Sequence, residues 1–245
     1  MNSVTTDDIK GLSVPPPGSH KGQNGKLLVI GGSHLFHAAS LWALTVASRI
    51  VDLVHYSSIP ENNEIVQKAK EEFRNGIVVR RENVEDYIKE DDCILIGPGM
   101  VRAEGDLSGV EYTLSDIKEI DEIENEGILT YHLVKYLLKK YPQKQWVIDA
   151  GALQMLDLSV IPKNAILTPH HGEFRGLAQK AKIAEDPQLF AKTYHCIVLL
   201  KGEKDVAASS TQTRVIEGGN AGMTKGGTGD VLAGLVGALA CKNDL

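Results

Sequence analysis

The sequence carries little basic charge and few cysteines. Its 245 residues include 26 lysines and arginines against 32 aspartates and glutamates, a formal net charge of −6. Domains that bind nucleic acids have a basic surplus, so this balance excludes a protein that binds DNA or RNA by electrostatics. The three cysteines, Cys93, Cys196 and Cys241, form no CxxC pair. We therefore expect neither a disulfide framework nor a cysteine-rich zinc site, and we expect Cys93 and Cys196 to be buried.

Long hydrophobic runs are also absent. The longest nearly unbroken run, residues 231–241, has 11 residues, whereas a membrane-spanning helix needs roughly 18 or more. Residues 1–17 contain Asp7 and Asp8 and lack the apolar segment of a secretory signal. The overall composition, with 42% hydrophobic and 24% charged residues, is that of an ordinary globular protein. We expect a cytoplasmic protein with no membrane partner.

Short apolar runs alternate with amphipathic stretches along most of the chain. The predicted strands are 27–30, 51–56, 76–79, 93–96, 146–148, 165–167 and 197–200, and the predicted helices are 38–50, 61–74, 128–140, 172–182 and 231–240. The strands are short, apolar and without polar alternation, which is typical of a parallel sheet buried on both faces. The sequence therefore predicts an α/β fold with a mostly parallel central sheet and helices on both faces.

Two segments depart from this alternation. Residues 1–19 are polar and contain the run Pro15-Pro16-Pro17-Gly18, which favours extended structure and predicts an N-terminal arm. Residues 104–126 are rich in aspartate and glutamate, and we interpret them as a solvated insertion. Because no linker or repeat is visible elsewhere, residues 20–245 are predicted to form a single domain.

Small or polar residues follow the predicted strands. They are Gly31-Gly32-Ser33-His34, Gly97-Pro98-Gly99, Asp149-Ala150-Gly151, the run 168–173, Lys201-Gly202 and the loop 218–230. Open α/β sheets bind their ligands beyond the carboxyl ends of the strands. Chance accounts for one or two such ends, so six of them predict a shared cleft for a small molecule.

The loop 218–230 is the richest of these segments. Seven of its thirteen residues are glycine or lysine, and a predicted apolar helix follows it. Glycines at a helix N-terminus let phosphate oxygens approach unpaired backbone N–H groups, so Gly226, Gly227, Thr228 and Gly229 are predicted to form an anion hole. Asp230 is either a reactive group or only the N-cap of the helix. Neither a Walker A loop nor a dinucleotide fingerprint is present.

Several motifs together resemble one enzyme family. Residues 226–234, GGTGDVLAG, resemble the signature that closes the active site of ribokinase-like enzymes. The segments KLLVIGGS (26–33), GPG (97–99), VIDAGAL (147–153), ILTPHHGEF (166–174), VLLKG (198–202) and GNAGM (219–223) also occur in the order found in ADP- or ATP-dependent NAD(P)H-hydrate dehydratases. The resemblance covers residues 26–234 and implies a ribokinase-like fold.

The resemblance also implies a reaction that repairs damaged cofactor. In NADHX and NADPHX, water has added across the 5,6 double bond of the dihydronicotinamide ring. The family transfers a phosphoryl group from ADP or ATP to the resulting C6 hydroxyl, and loss of phosphate then restores NADH or NADPH. By this resemblance the chain is a lyase that uses Mg²⁺. Its expected partners are NADHX or NADPHX, an adenine nucleotide and further copies of itself in a homo-oligomer, with no nucleic acid.

The resemblance assigns roles to matched positions. Asp230 deprotonates the C6 hydroxyl, while Ala39, Gly97, Gly99, His170 and Asp230 contact the hydrated dinucleotide. The implied nucleotide-binding residues are Lys201, Gly202, Glu203, Lys204, Asp205, Asn220 and Gly229. Asp149 ends a predicted strand, and it either binds magnesium through water or caps a short helix that begins near Ala152.

The sequence departs from the family pattern at four points. The family's Arg-x-Gly-Ala-Gly turn is RIVDL here (49–53), so we expect that loop to have a different shape. Ala38 stands where the family typically has glycine, and Gly151 replaces an aspartate. The chain ends 15 residues after Asp230, where the family usually continues through further helices, so we expect either a compact variant of the family or a missing C-terminus. Two alternatives to the dehydratase stay open: a small-molecule kinase of the same fold that phosphorylates a hydroxymethyl group, and a non-catalytic nucleotide-binding homologue.

Overall fold

The computed structural model describes residues 2–69, 75–105 and 116–244. The strands of these residues are β1 (Asn2–Ser3), β2 (Lys26–Ile30), β3 (Leu53–Ser57), β4 (Ile77–Val78), β5 (Cys93–Ile96), β6 (Gln145–Ile148), β7 (Ile166–Leu167), β8 (Ile197–Leu200), β9 (Asp205–Ala208) and β10 (Thr213–Ile216). The α-helices are α1 (Ala38–Ala47), α2 (Pro60–Ala69), α3 (Val84–Glu90), α4 (Ile117–Asp121), α5 (Glu126–Lys140), α6 (Ala150–Gln154), α7 (His171–Ala181), α8 (Pro187–Tyr194) and α9 (Thr228–Ala240).

The strands form one sheet in the order β1-β10-β9-β8-β7-β6-β5-β2-β3-β4. Neighbouring strands are parallel except around β9, which is antiparallel to both β8 and β10. After β4 the chain returns to the other side of β2 and forms β5, so the direction of winding reverses between β2 and β5. A crevice opens beyond the carboxyl ends of strands at such a point. The predicted mostly parallel α/β sheet is confirmed.

Both faces of the sheet are buried. Successive side chains of a strand point to opposite faces, so neighbouring residues of one strand pack into different core clusters. On one face Leu28 and Ile94 belong to a core cluster completed by α3 to α8. On the other face Leu27 and Leu95 pack with residues of α1, α2 and α9. Helices therefore cover both faces, as the uninterrupted apolar strands predict.

The edge of the sheet differs from the prediction. The sequence pattern missed β9 and β10, whose residues are mostly half-buried, and it missed β1. Residues 2–3 of the predicted arm pair with β10, and the N–H of Val4 donates to the carbonyl of Val215 at 2.9 Å. The start of the arm thus extends the sheet.

The acidic segment 104–126 is only partly a solvated insertion. Residues 106–115 lie outside the described residues, but Ile117 and Ile120 of α4 are 4% and 0% exposed. The prediction is therefore wrong for α4, where two isoleucines spaced by one helical turn outweigh the surrounding charge.

The cysteines match their predicted role as buried small side chains. Cys93 and Cys196 are both buried, and burial raises the pKa of the Cys196 thiol to about 12. Within the described part of the chain, no helix combines the length and apolar character needed to cross a membrane.

Candidate active site

The carboxyl ends of the central strands meet along one edge of the sheet. The N–H of Gly97 donates to the carbonyl of Ile30 at 3.0 Å, and the N–H of Asp149 donates to that of Ile96 at 3.0 Å. The N–H of Lys201 donates to the carbonyl of Pro169 at 2.8 Å. The structure therefore brings the polar residues that follow β2, β5, β6, β7 and β8 to a common edge.

Gly97 and Gly99 allow three loops to approach one another at the switch point. Both have positive φ angles, 125° and 75°, which side-chain-bearing residues adopt only with strain. A Cβ atom at Gly97 would overlap the carbonyl of Asp149, and one at Gly99 would lie 3.2 Å from the Cβ of Ala39 and 3.2 Å from the Cα of Gly32. Ala39, Gly97 and Gly99 are thus neighbours.

Asp149 is held by two side chains from other strand ends. Its Oδ1 accepts a hydrogen bond from Lys201 Nζ at 2.8 Å and another from Thr168 Oγ1 at 2.8 Å. Asp149 is 1% exposed. Although it precedes α6, its side chain forms no cap of that helix. The capping alternative for Asp149 is therefore wrong, because its carboxylate is bonded to Lys201 and Thr168.

The helix that follows the glycine-rich loop begins earlier than predicted. It starts at Thr228, and its N-cap is Gly227, with a φ of 95° and no side-chain cap. Asp230 is therefore a residue of the first turn, and its interpretation as the N-cap is wrong. The first N–H groups of a helix lack intrahelical partners and carry the positive end of its dipole. Those of Gly229 and Asp230 are in this position.

Asp230, Lys201 and Asp149 form one electrostatic cluster. Burial, followed by the negative charge of Asp149, raises the pKa of Asp230 from 3.8 to about 6, while Lys201 opposes this shift. A Cβ atom at Gly229 would lie 3.4 Å from Lys201 Nζ, so the ammonium group lies against the start of α9. A carboxyl group that titrates near neutral pH can exchange protons with a substrate.

His170 lies beside this cluster and caps α7. Its Nδ1 accepts hydrogen bonds from the N–H groups of Gly172 and Glu173 at 3.0 and 3.2 Å, and Glu173 Oε2 accepts from the N–H of His170 at 2.9 Å. This capping box leaves the imidazole 60% exposed. A parallel bridge to Lys201 places His170 next to β8. The sequence motif did not reveal the capping role.

The residues predicted to bind the nucleotide follow Lys201 in a tight turn. Asp205 Oδ1 accepts from the N–H of Gly202 at 2.9 Å, and Lys204 forms an ion pair of 2.6 Å with Glu217. The carbonyl of Glu203 lies 3.5 Å from where a Cβ of Gly219 would be. The structure thus brings the turn 201–205 to the start of the glycine-rich loop.

Asn220 organises that loop locally. Its Oδ1 accepts from the N–H of Gly222 at 2.9 Å, at the start of a short 3₁₀-helix. This contact fits a role in supporting the loop.

Sequence reasoning missed one residue at the anion hole. The ring of Trp42, on α1, occupies the space where a Cβ of Gly227 would be, and its side chain is 41% exposed. A single aromatic residue within a helical pattern gives no signal of such a contact.

Solved structures show the same architecture. A ribokinase-like superfamily protein of Enterococcus faecalis superposes with a TM-score of 0.78 at 20% identity, covering 99% of this chain and 81% of that one. The ADP/ATP-dependent NAD(P)H-hydrate dehydratase of Bacillus subtilis, co-crystallised with ATP and Mg²⁺, gives 0.71 at 23% identity and covers 99% and 82%. The fold is therefore ribokinase-like.

Sequence comparison identifies the family within this fold. The chain belongs to the NAD(P)H-hydrate dehydratase family, whose model matches residues 27–244. It is 35% identical over 246 residues to the bifunctional NAD(P)H-hydrate repair enzyme Nnr of Methanocaldococcus jannaschii, covering 97% of this chain and 43% of that protein. The ADP-dependent (S)-NAD(P)H-hydrate dehydratase of Nitrosopumilus maritimus is 34% identical over 241 residues, with 92% and 76% covered. The chain thus spans less than half of the bifunctional relative.

Proposed function

We propose that this protein converts NADHX and NADPHX to NADH and NADPH, with ADP or ATP as the phosphoryl donor and release of phosphate. The observation that carries the proposal is the cluster of Asp149, Lys201 and Asp230 at the N-terminus of α9, in a chain of the NAD(P)H-hydrate dehydratase family. A half-buried carboxyl group with a raised pKa, beside an anion-binding helix end, is suited to activating a hydroxyl group for phosphorylation.

Asp230 is the general base of the first step. It takes the proton of the C6 hydroxyl, whose oxygen forms a bond to the terminal phosphorus of the donor as the bridging P–O bond breaks. The ring nitrogen's lone pair then helps break the C6–O bond, and a proton leaves C5 as the double bond returns. The raised pKa of Asp230, about 6, supports this role, because a general base works best when its pKa lies near the operating pH.

The helix start stabilises the transferring phosphoryl group. Backbone N–H groups of the segment Gly226, Gly227, Thr228 and Gly229 neutralise its charge, and Lys201 adds a cation at the same place. The turn formed by Lys201, Gly202, Glu203, Lys204 and Asp205 lines the adenine nucleotide. Asn220 supports the loop between them.

The hydrated dinucleotide lies on the switch-point side of Asp230. Ala39, Gly97 and Gly99 offer a surface with little side-chain bulk, where a ligand can approach the backbone closely. His170, whose exposed imidazole lies next to β8, also contacts the dinucleotide.

Asp149 is the residue best suited to interact with magnesium. It offers carboxylate oxygens, the ligand type that Mg²⁺ prefers, but Oδ1 already accepts two hydrogen bonds. Among the described residues, no group of three or more potential metal-binding side chains occurs. We therefore assign Asp149 a contact through water, with the nucleotide phosphates as the main ligands. Bound Mg²⁺ would neutralise phosphate charge.

Further assignments belong to this proposal. The net charge of −6 supports a set of small-molecule partners without nucleic acid. We also propose that the protein acts in the cytoplasm and assembles as a homo-oligomer.

The test is incubation of the purified chain with NADHX or NADPHX and either ADP or ATP. Recovery of the near-ultraviolet absorbance of reduced nicotinamide, together with stoichiometric phosphate, supports the dehydratase. Phosphorylation of a hydroxymethyl compound without elimination would instead select the kinase, and nucleotide binding without turnover the non-catalytic homologue.

A further inference from the structure

A cleft of about 810 Å³ leads away from His170. One wall is a face of α7 that includes Glu173, Gly176 and Lys180, which are spaced by about one helical turn. The other walls are residues 153–157 at the end of α6, Tyr131 on α5, and Arg102, Ala103 and Gly105 after β5. We call this space the α7 cleft. Because it begins at His170, it is continuous with the candidate active site.

Two cations in the α7 cleft are available to an anion. Within the described residues, Arg102 and Lys180 form no ion pair with a carboxylate. Lys180 Nζ donates only to the carbonyl of Gln154, at 2.7 Å. Arg102 Nη1 makes a long contact of 3.5 Å with Gln154 Oε1. Both therefore retain donors for a ligand.

The acidic groups of the cleft are already bonded. Asp157 forms an ion pair of 2.9 Å with Lys135. Glu173 accepts from the N–H of His170 and, through Oε1, from Gln154 Nε2 at 3.1 Å. Within the described residues neither carboxylate pairs with Arg102 or Lys180, so both cations keep donors for an anion.

The floor of the α7 cleft has room for a flat group. Gly176 lines it, and a Cβ atom added there would meet no atom within 4 Å. Leu153, Met155 and Leu177 also line the cleft with apolar side chains, and Tyr131 adds an aromatic ring to its lining. An apolar slot with an aromatic wall and two free cations fits a purine nucleoside that carries phosphate.

We infer that the α7 cleft binds the adenosine half of the hydrated dinucleotide, with Arg102 and Lys180 contacting a phosphate of that half. The inference rests on the proposed function, because it takes the dihydronicotinamide end to be at Asp230. From that end, the dinucleotide runs past His170 and into the α7 cleft. The phosphate that Arg102 and Lys180 contact is either in the pyrophosphate, which both substrates have, or the 2′-phosphate, which only NADPHX has.

The first test fills the cleft. A Cβ atom at Gly176 meets no protein atom within 4 Å, so the side chain of Gly176→Trp starts in open space. A thermal melt checks that the variant is folded. Its KM for NADHX and NADPHX should rise at least roughly tenfold while the KM for ADP stays unchanged. The matched control is Gln179→Trp, on the exposed surface of the same helix outside the cleft, which should leave every KM unchanged. An unaltered KM for both hydrates in Gly176→Trp overturns the inference.

The second test locates the phosphate. Arg102→Ala and Lys180→Ala should each raise KM by roughly tenfold to a hundredfold, the loss expected for a hydrogen bond to a charged group. A rise for NADPHX alone identifies the 2′-phosphate, and an equal rise for both substrates identifies the pyrophosphate. No rise for either substrate contradicts the assignment.

A binding measurement separates this inference from the proposed function. Calorimetry measures NADP⁺ and NAD⁺ affinity with the donor site saturated by ADP. If the wild-type chain turns over neither hydrate, the proposed function fails, yet loss of NADP⁺ binding in Gly176→Trp still supports the cleft. Equal NADP⁺ affinity in the wild type and Gly176→Trp contradicts the cleft whatever the turnover.

Discussion

Lys201 donates a hydrogen bond from its ammonium group to the carboxylate of Asp149, 52 residues earlier in the chain, at 2.8 Å. The same ammonium lies against Gly229 and lowers the pKa of Asp230. One cation therefore acts on two carboxylates, and it keeps one of them bonded while it limits the proton affinity of the other.

This arrangement determines an expected pH dependence. Asp230 must be deprotonated to act as a base, so kcat/KM should fall below a pKa of about 6. Lys201→Gln replaces the ammonium with a neutral amide donor, so the charge that opposes the rise in the pKa of Asp230 is gone. The acidic limb should move to higher pH. The measurement is a pH–rate profile of both proteins, and an unshifted limb in a folded variant contradicts the coupling.

Asp230→Asn should lower turnover without unfolding the protein. Turnover should fall by roughly a hundredfold to ten-thousandfold, the usual contribution of a general base, while ADP affinity stays similar. Near-normal turnover in a folded Asn variant would mean that Asp230 is not the base.

The same variant should be more stable than the wild type at neutral pH. The folded-state pKa of Asp230, about 6, lies above its ordinary value of 3.8, so this residue's contribution to stability is present below pH 3.8 and lost as the pH rises through about 6. For a half-buried group this is on the order of 1–2 kcal/mol. Thermal melts at pH 8 and pH 4 should show a gain for Asp230→Asn at pH 8 that disappears at pH 4.

A side chain at Gly229 should weaken nucleotide binding more than it affects folding. The φ of Gly229 is not in the left-handed region, and a Cβ there makes an ordinary contact with Lys201 Nζ. Gly229→Ala and Gly229→Val should therefore fold, but their side chains keep phosphate oxygens from the backbone, so ADP and ATP affinity should fall progressively, by roughly tenfold or more for valine. Calorimetry measures the affinities, and equal values across the series would show that the helix start binds no phosphate.

His170 should show two separable roles. Alanine removes the cap of α7 and should cost about 1 kcal/mol of stability, whereas asparagine is among the best N-cap residues and should restore most of it. If the exposed side of the imidazole contacts the substrate, both variants raise the KM for NADHX more than that for ADP. Melts and steady-state kinetics on the pair measure both effects, and a KM that recovers with asparagine would make His170 a structural residue.

Much of the sheet could be predicted because its strands are buried on both faces. Residues 93–96 and 197–200 are apolar throughout, and the predicted bounds agree with β5 and β8. Strands β9 and β10, next to the edge strand β1, are mostly half-buried and lack that pattern. Their pairing depends on a hairpin whose register the sequence does not display.

The candidate site was predictable in position but less so in detail. Polar residues after strands identify the correct edge, because parallel strands end together. The start of α9 depends on the left-handed φ of Gly227, and the partner of Asp149 lies far away in sequence. Neither property can be read from local residue types, and for this reason Asp149 and Asp230 were both considered as helix caps.

The contact between Trp42 and Gly227 gives the protein an intrinsic optical probe. The chain has two tryptophans, and Trp146 is fully buried in the core, with its indole N–H donating to the carbonyl of Tyr141. Trp42 is 41% exposed and touches Gly227, a residue of the anion hole and the N-cap of α9. Emission that changes on nucleotide binding should therefore come from Trp42, while Trp146 supplies a constant background. Titration of Trp42→Phe with ADP, in which the change in emission should disappear, makes occupancy of the helix start measurable in real time without a label.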